Sequence, residues 1–400
     1  MSEERHHPPN QTYAVSRRVH QREFLLVPGP VVNAIVLYAL ARALDLTPQI
    51  RLHAFLAMSN HIHLVLTDVY EPSLNQKSGL SRFFALLDAL IARSLNCHYG
   101  RRGHFWEQGS FRPTQIHDVP ALEDQILYLL CNPVDAGLVP HPGRWPGVCL
   151  LPSAFGTTIP VAKPRTAFFG GRPSPDLERH TSGGKAHQHL LHRAAQARLK
   201  AREAAQDSLE REQGLTRAER RAARAERRRQ RRQRSPRKSR ATLPDELQLT
   251  LTPPPVNPSY ENNPGFEPLD PDLARRHYTQ LLETRVAQLQ ATRRRRGLGY
   301  LGAKRVQAQS PHTKPRLEPP DFEGPPKIAC KDKLKRSQIK RLRSRFHERY
   351  DEAITLWPDD HDTPVFPLGT VNMLRFHQAR VDGYPEPRRL KGKRAPPPAA

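Results

Sequence analysis

The pattern that most constrains the fold of this chain is a pair of histidines, His61 and His63, in the segment MSNHIHLVL at residues 58–66. Apolar residues alternate through the segment, which predicts a β-strand. Side chains two positions apart on a strand project from the same face. Both imidazoles are therefore expected on one rigid surface, as half of a site for a divalent metal ion. Two solvated or hydrogen-bonded histidines are the alternative, and this motif alone does not decide between them.

A second pattern is the segment ILYLLCNPVDAGLV at residues 126–139. In this segment and the residues just before it, an apolar residue recurs every three or four positions. This spacing predicts a helix over residues 121–131. Asp118 is the predicted N-cap residue of this helix. Pro133 restricts the residue before it, so we expect the helix to end near Asn132.

Tyr128 lies in this predicted helix but away from its strongest apolar stripe. Asn132 follows four residues later, on the same helical face if the last turn persists. A lone tyrosine on a helix packs into a core more often than it acts as a nucleophile. Tyr128 is therefore a candidate for both roles at this point.

Four segments together resemble the REP-associated tyrosine transposases, which are single-tyrosine, HUH-type enzymes that act on single-stranded DNA. The resemblance covers roughly residues 10–150. Its segments are 13–18, 53–66, 103–111 and 128–139. The sequence departs from the family pattern at Ser59, Cys131 and Asp135, none of which replaces a catalytic group.

The resemblance implies a role for each group. His61 and His63 would be the metal ligands, and Asn132 would complete the metal site. Tyr128 would attack DNA, hold the 5′ phosphate covalently and release a 3′ hydroxyl. The DNA path would run near Trp106, which could stack on a base or fill the core. The candidate phosphate contacts are Arg101, Arg102 and Arg112.

A divalent cation would polarise a phosphoryl oxygen and fix the scissile phosphate. Mg²⁺ or Mn²⁺ are the expected ions, since phosphate oxygens and an amide suit them. Zinc or nickel would also bind a histidine-rich site. The expected partner is single-stranded or hairpin DNA, and the chain would act as a monomer or a homodimer.

The predicted fold class is α+β, a ferredoxin-like βαββαβ antiparallel sheet with helices on one face. A basic, largely helical or disordered C-terminal extension follows it. The predicted strands are 12–18, 51–58, 61–67 and 111–117, and the predicted helices of the first domain are 31–46, 80–99 and 121–131. Farther along, 271–290 and 331–357 are predicted helices.

Composition limits the size of the core. The chain has 400 residues and a formal net charge of +25, but hydrophobic residues make up only 37% and prolines number 40. We therefore expect one compact domain at residues 1–155, a linker at 156–186, an Arg-rich segment at 187–240 and a Pro-rich extension at 241–400.

The four cysteines show no paired spacing. With no long apolar stretch, the protein is expected in the bacterial cytoplasm with the nucleoid.

Arginine-dense segments such as 187–240 bind phosphate backbones without reading sequence. Three functions therefore stand at this stage. The first is an active single-strand DNA transposase or nickase. The second is a domesticated DNA-binding protein of the same fold with weak or lost catalysis. The third is a basic nucleic-acid-coating protein whose His-x-His is incidental.

Overall fold

The structure is a computed structural model of the 400-residue chain. Its Cα atoms form two compact units, the first made of residues 1–92, 104–162 and 246–400 and the second of residues 93–103 and 163–245. The residues that the structure describes are 7–108, 111, 113–170, 216, 219, 243–262, 265–315 and 328–385. Most of the Arg-rich segment and residue Arg112 lie outside them.

The first unit is built on a six-stranded sheet in the order β5-β2-β3-β1-β4-β8. Its strands are β1 Gln11–Arg18, β2 Ile50–Ala57, β3 His61–Asp68, β4 Thr114–Ile116, β5 Cys149–Leu150 and β8 Ile328–Ala329. Every neighbouring pair is antiparallel except β4 and β8, which are parallel. The sheet is therefore mixed, and the expectation of a purely antiparallel sheet was wrong. A two-residue strand from the distant C-terminal half leaves too little pattern to be predicted.

The helices of the first 150 residues are α1 Pro30–Asp45, α2 Leu80–His98 and α3 Val119–Asp135. Asp118 caps α3 as expected, since its carboxylate accepts a hydrogen bond from the amide of Ala121 at 2.8 Å. The predicted strand at 111–117 is shorter than expected, because only the residues of β4 pair with β1.

Helix α3 continues through Pro133, so the prediction that this proline ends the helix was wrong. The final turn closes through bonds that do not need the missing amide hydrogen. Asn132 O accepts from the amide of Ala136 at 2.9 Å, and Pro133 O accepts from that of Leu138 at 2.9 Å. Because of this continuation, Asn132 keeps a helical position one turn after the tyrosine.

Helices cover both faces of the sheet, whereas we expected them on one. Ser16 and Arg17 are consecutive in β1 and so point to opposite faces. Arg17 pairs with Asp88 of α2 at 2.9 Å. Ser16 lies opposite His63 in the register, and His63 contacts α3. Residues of both faces of β3 are buried, including Ile62 and Val65, as two covered faces require.

Several strands and helices of the C-terminal half of the chain belong to this unit. Strand β6 Thr158–Ala162, which falls in the expected linker, pairs antiparallel with β7 Glu246–Thr250. Helix α4 Pro271–Arg295 packs on α3 and buries Ala274, Tyr278, Leu282 and Val286. The remaining elements are α5 Ala303–Gln307, α6 Lys333–Leu356, β9 Val365–Phe366, α7 Val371–His377 and β10 Arg380–Val381. The last three close a small core with Trp357 and Ala353 of the α6 end.

In the part of the chain that the structure describes, none of the helices is both long and apolar enough to cross a membrane.

Candidate functional site

Strand β3 and helix α3 bring four of the candidate residues to one point. The ring centroids of His61 and His63 are 4.6 Å apart, with the rings nearly perpendicular. The Tyr128 ring lies 5.9 Å from the His63 ring. The Asn132 amide nitrogen is 3.2 Å from His63 Nε2. Groups far apart in the sequence therefore meet on one face of the sheet, and their chemical roles stay predictions.

Asn60 fixes which nitrogen of His61 faces the site. The Asn60 amide nitrogen donates to the carbonyl oxygen of Arg22 at 3.4 Å, so its oxygen faces the other way. That oxygen lies 2.7 Å from His61 Nδ1 and can only accept a hydrogen bond. With Asn60 in this orientation, His61 donates from Nδ1 and leaves the lone pair of Nε2 available to a ligand. The sequence pattern gave no sign of this role for Asn60.

His63 and Asn132 form the second half of the candidate metal site. The Asn132 amide nitrogen lies at hydrogen-bond distance from His63 Nε2. Rotation of that amide by 180° places its oxygen at the same point, where it could ligate a cation. Two ligand atoms of one octahedral ion lie about 3 Å apart, since each is about 2.1 Å from the metal. The separation of 3.2 Å between these two side chains is therefore suited to shared coordination.

Both imidazoles are neutral at pH 7. Burial and, to a smaller extent, the guanidinium of Arg18 together lower the pKa of His63 to about 4. Burial also lowers the pKa of His61 well below its usual value, with additional effects from His63 and Arg18. A neutral imidazole offers a lone pair to a metal ion without first losing a proton. The environment therefore keeps both rings in the form that ligates.

Arg18 adds a cation that the sequence analysis did not assign. It lies at the end of β1, directly opposite His61 in the strand register. Residues opposite each other in an antiparallel pair share a face, so the exposed Arg18 projects on the histidine side of the sheet. Only the strand register reveals this position, because a basic residue at the end of a strand carries no distinctive sequence signal.

Tyr128 is not a core residue. Its side chain is 58% exposed, whereas the apolar stripe of α3 is buried at Leu122, Ile126, Leu129 and Leu130. This exposure leaves the phenolic oxygen open to a large substrate such as a nucleic-acid strand. The position off the apolar stripe, visible in the sequence, was the signal for it.

The donor set fits a divalent ion in part. Among the described residues, no group of three or more His, Cys, Asp or Glu side chains is placed to hold a metal. The candidate instead combines two imidazole nitrogens with one amide oxygen. Such a set leaves coordination positions for phosphate oxygens of a substrate. Two nitrogen ligands also suit manganese or zinc better than magnesium.

The residues that we expected to contact DNA outside this cluster are not all exposed. Trp106 is only 8% exposed, and its indole nitrogen donates to the carbonyl oxygen of Asp88 at 2.9 Å. The guanidinium of Arg17 lies over its ring. Trp106 is therefore part of the core, and the expectation of base stacking is not supported. Arg101 is partly buried and Arg102 is exposed, both in the second unit, so their phosphate contacts stay predictions.

Helix α3 is held at its N-terminal end by the C-terminal half of the chain. The second carboxylate oxygen of Asp118 accepts from the amides of Lys331 and Asp332 at 2.6 and 3.1 Å, and from the Cys330 thiol at 2.9 Å. One carboxylate therefore caps the helix that carries Tyr128 and fixes the segment before α6.

Further contacts join α3 and the loop after it to α4. His277 is 2.7 Å from Glu123, and Arg293 donates to the carbonyl oxygen of Asp135 at 3.3 Å. Gln290 donates to the carbonyl oxygen of Pro140 at 2.8 Å. The helix with the candidate nucleophile is thus attached near both of its ends.

Asp118→Ala is expected to lower the free energy of unfolding by about 3 kcal/mol. It removes a helix cap worth about 1 kcal/mol and hydrogen bonds to a charged group worth about 2 kcal/mol together. Urea denaturation measures the change. Asp124→Ala is the matched control, since Asp124 is 57% exposed and forms a surface ion pair with Lys331 at 2.6 Å. Equal losses in the two variants would show that Asp118 does not anchor the C-terminal half.

Comparison with known proteins gives little further information. No family model matches the sequence, and no curated protein matches it significantly. One similar solved structure is that of a REP-associated tyrosine transposase bound to a REP hairpin. The identity is 18%, the TM-score is 0.31, and the match covers 37% of this chain and 81% of that one. The function proposed below therefore rests on contacts within this chain.

Proposed function

We propose that this chain cleaves and rejoins single-stranded DNA through a covalent bond between Tyr128 and a 5′ phosphate. His61, His63 and Asn132 would hold the divalent cation that the reaction uses. The single observation that carries the proposal is the meeting of an exposed phenol with two neutral imidazoles and an amide. The resemblance of the sequence motifs supplies the substrate class and the activity of a transposase. It also supplies the proposed ferredoxin-like arrangement of the first four strands.

The reaction conserves the phosphodiester bond energy. The Tyr128 oxygen forms a bond to phosphorus as the bond from phosphorus to the 3′ oxygen breaks. The phenolic proton goes to water, and the departing 3′ oxygen takes a proton to become a hydroxyl. Attack by a 3′ hydroxyl on the phosphotyrosine reverses these changes and restores the free phenol. Rejoining therefore needs no nucleoside triphosphate.

The side chains around Tyr128 position the scissile phosphate. A bound divalent ion would polarise a non-bridging oxygen and offset the charge that builds up on it. Arg18 stands on the same face and would contribute an ion pair to another non-bridging oxygen. Asn60 keeps the ligating nitrogen of His61 turned into the site. These groups act by orientation and electrostatics.

A noncatalytic nucleic-acid-binding protein is the second candidate, and the net charge of +25 favours it as well as the first. Charge of this size binds phosphate whether or not a reactive centre exists. The two candidates therefore differ in covalent chemistry and not in affinity.

Mapping of a covalent adduct tests the proposal. The full chain is incubated with a short single-stranded oligonucleotide and Mn²⁺, digested with protease and analysed by mass spectrometry. We expect a nucleotide-linked peptide that contains Tyr128 and that EDTA abolishes. The buried tyrosines Tyr13 and Tyr70 serve as internal controls that should stay unmodified. Tight binding without any adduct would overturn the proposal in favour of the second candidate. An adduct on a residue other than Tyr128 would show that Tyr128 is not the nucleophile.

A further inference from the structure

Helix α6 has an uneven charge distribution along its length. Its first 13 residues contain seven basic residues and no acidic one, whereas its last 11 contain three acidic residues and one arginine. The seven basic residues are Lys333, Lys335, Arg336, Lys340, Arg341, Arg343 and Arg345. The positive half of α6 is thus its N-terminal half.

This arrangement is unfavourable for an isolated helix. The N-terminal end of a helix carries partial positive charge, which disfavours cations near it. Helix α4 shows the favourable order, with Asp272 in its first turn and arginines in its last turn. The cations of α6 therefore do not serve the stability of the helix itself, which points to an anionic partner.

Four of these cations share the outward side of the helix. Ile339, Phe346 and Ala353 are buried and mark the inward side. Within the described residues, the outward cations form no ion pair; they are Lys333, Lys340, Arg341 and Arg345. The set spans about 18 Å along the axis at 1.5 Å per residue. The other three cations lie nearer the protein, as in the bond from Arg336 to the carbonyl oxygen of Cys330.

The chemistry of the outward side matches a phosphate backbone. The exposed Ser337 and Gln338 lie among the cations, and hydroxyl and amide groups are common phosphate donors. The aromatic residues of this helix are buried or partly buried. Proteins that bind single strands stack bases on exposed aromatic rings. Exposed cations without such rings fit the paired backbones of a duplex, whose bases are not available for stacking.

We propose that this outward side of α6 binds the phosphate backbone of double-stranded DNA next to the strand held at Tyr128. The proposal rests on the proposed function for the identity of the nucleic acid. Lys331 and Asp332, which precede α6, are bound to the N-cap Asp118 of α3. Tyr128 lies ten residues along α3, about 15 Å from that cap. The start of α6 is therefore fixed to the same helix that carries the reactive tyrosine.

A triple variant of the full chain tests the surface. Lys340→Gln, Arg341→Gln and Arg345→Gln are combined in a Tyr128→Phe background, so that cleavage cannot alter the readout. Fluorescence anisotropy measures the dissociation constants for a blunt DNA duplex and for oligo(dT) over a range of salt. We expect duplex binding to weaken about tenfold or more and the salt slope to fall by close to 3, since three phosphate contacts are lost. Binding of oligo(dT) should change less than twofold.

The matched control removes the same charge from α4 through Arg276→Gln, Arg285→Gln and Arg294→Gln, which are all exposed. An equal loss in this control would show that net charge alone sets the affinity, and it would overturn the proposal. An unchanged salt slope on duplex DNA, or an equal loss of affinity for oligo(dT), would also overturn the proposal. So would an equal loss of affinity for duplex RNA in the triple variant, measured in the same way. Because no arm requires an adduct, the outcome does not depend on whether Tyr128 reacts.

Discussion

Tyr128→Phe is expected to reduce cleavage of single-stranded DNA by more than about 10⁴-fold, because the change removes only the nucleophilic oxygen. The phenyl ring remains, and the side chain is exposed, so the free energy of unfolding should change by less than about 0.5 kcal/mol. DNA affinity should stay within twofold. Single-turnover cleavage of a labelled oligonucleotide measures the loss, and thermal unfolding checks the fold.

Tyr300→Phe is the control for this variant. Tyr300 lies under the guanidinium of Arg293 and outside the histidine cluster. The Tyr300→Phe protein should cleave at the wild-type rate and form the covalent adduct. If Tyr128→Phe cleaved DNA at the wild-type rate, Tyr128 would not be the nucleophile, whatever its distance to His63.

His61→Ala and His63→Ala are each expected to lower cleavage by at least about 10³-fold while leaving DNA affinity nearly unchanged. Each variant removes one of the two imidazole ligands, which weakens metal binding and the polarisation of the phosphate. His63→Ala also removes the partner of the Asn132 amide. The proposed contacts with the DNA backbone involve other residues, so affinity should be preserved.

Isothermal titration with Mn²⁺ gives a readout of the same variants that does not depend on activity. Wild-type protein should bind one ion near the histidines, and either variant should lose that binding. His312→Ala is the control, since His312 is an exposed histidine outside β3. If wild-type protein binds no ion, or if either variant cleaves at the wild-type rate, the metal role of these histidines would be wrong.

The local features of the site could be predicted from the sequence. Two histidines at spacing two on an alternating segment must share a strand face, and His61 and His63 do so. Tyr128 falls off an apolar stripe that the 3.6-residue period reveals, and it is exposed. Both inferences depend on geometry within one element, which the sequence specifies directly.

Features that depend on pairing between distant elements could not be predicted. Arg18 reaches the site through the register of β1 with β3. The parallel partner of β4 is a short strand more than two hundred residues away in the chain. Pro133 stays helical because the last turn closes through other amides, a detail of tertiary context that outweighs the propensity of proline. In each case the deciding interaction joins residues whose proximity no local pattern encodes.

The attachment of α3 to the C-terminal half determines how this protein could be shortened. A fragment ending near residue 155 would still contain the phenol and both imidazoles. It would lose the amides that occupy Asp118 and the α4 side that packs along α3. A shortened form of this chain would therefore have to retain residues 271–295 and 328–332, although neither segment contributes a side chain to the cluster of His61, His63 and Tyr128.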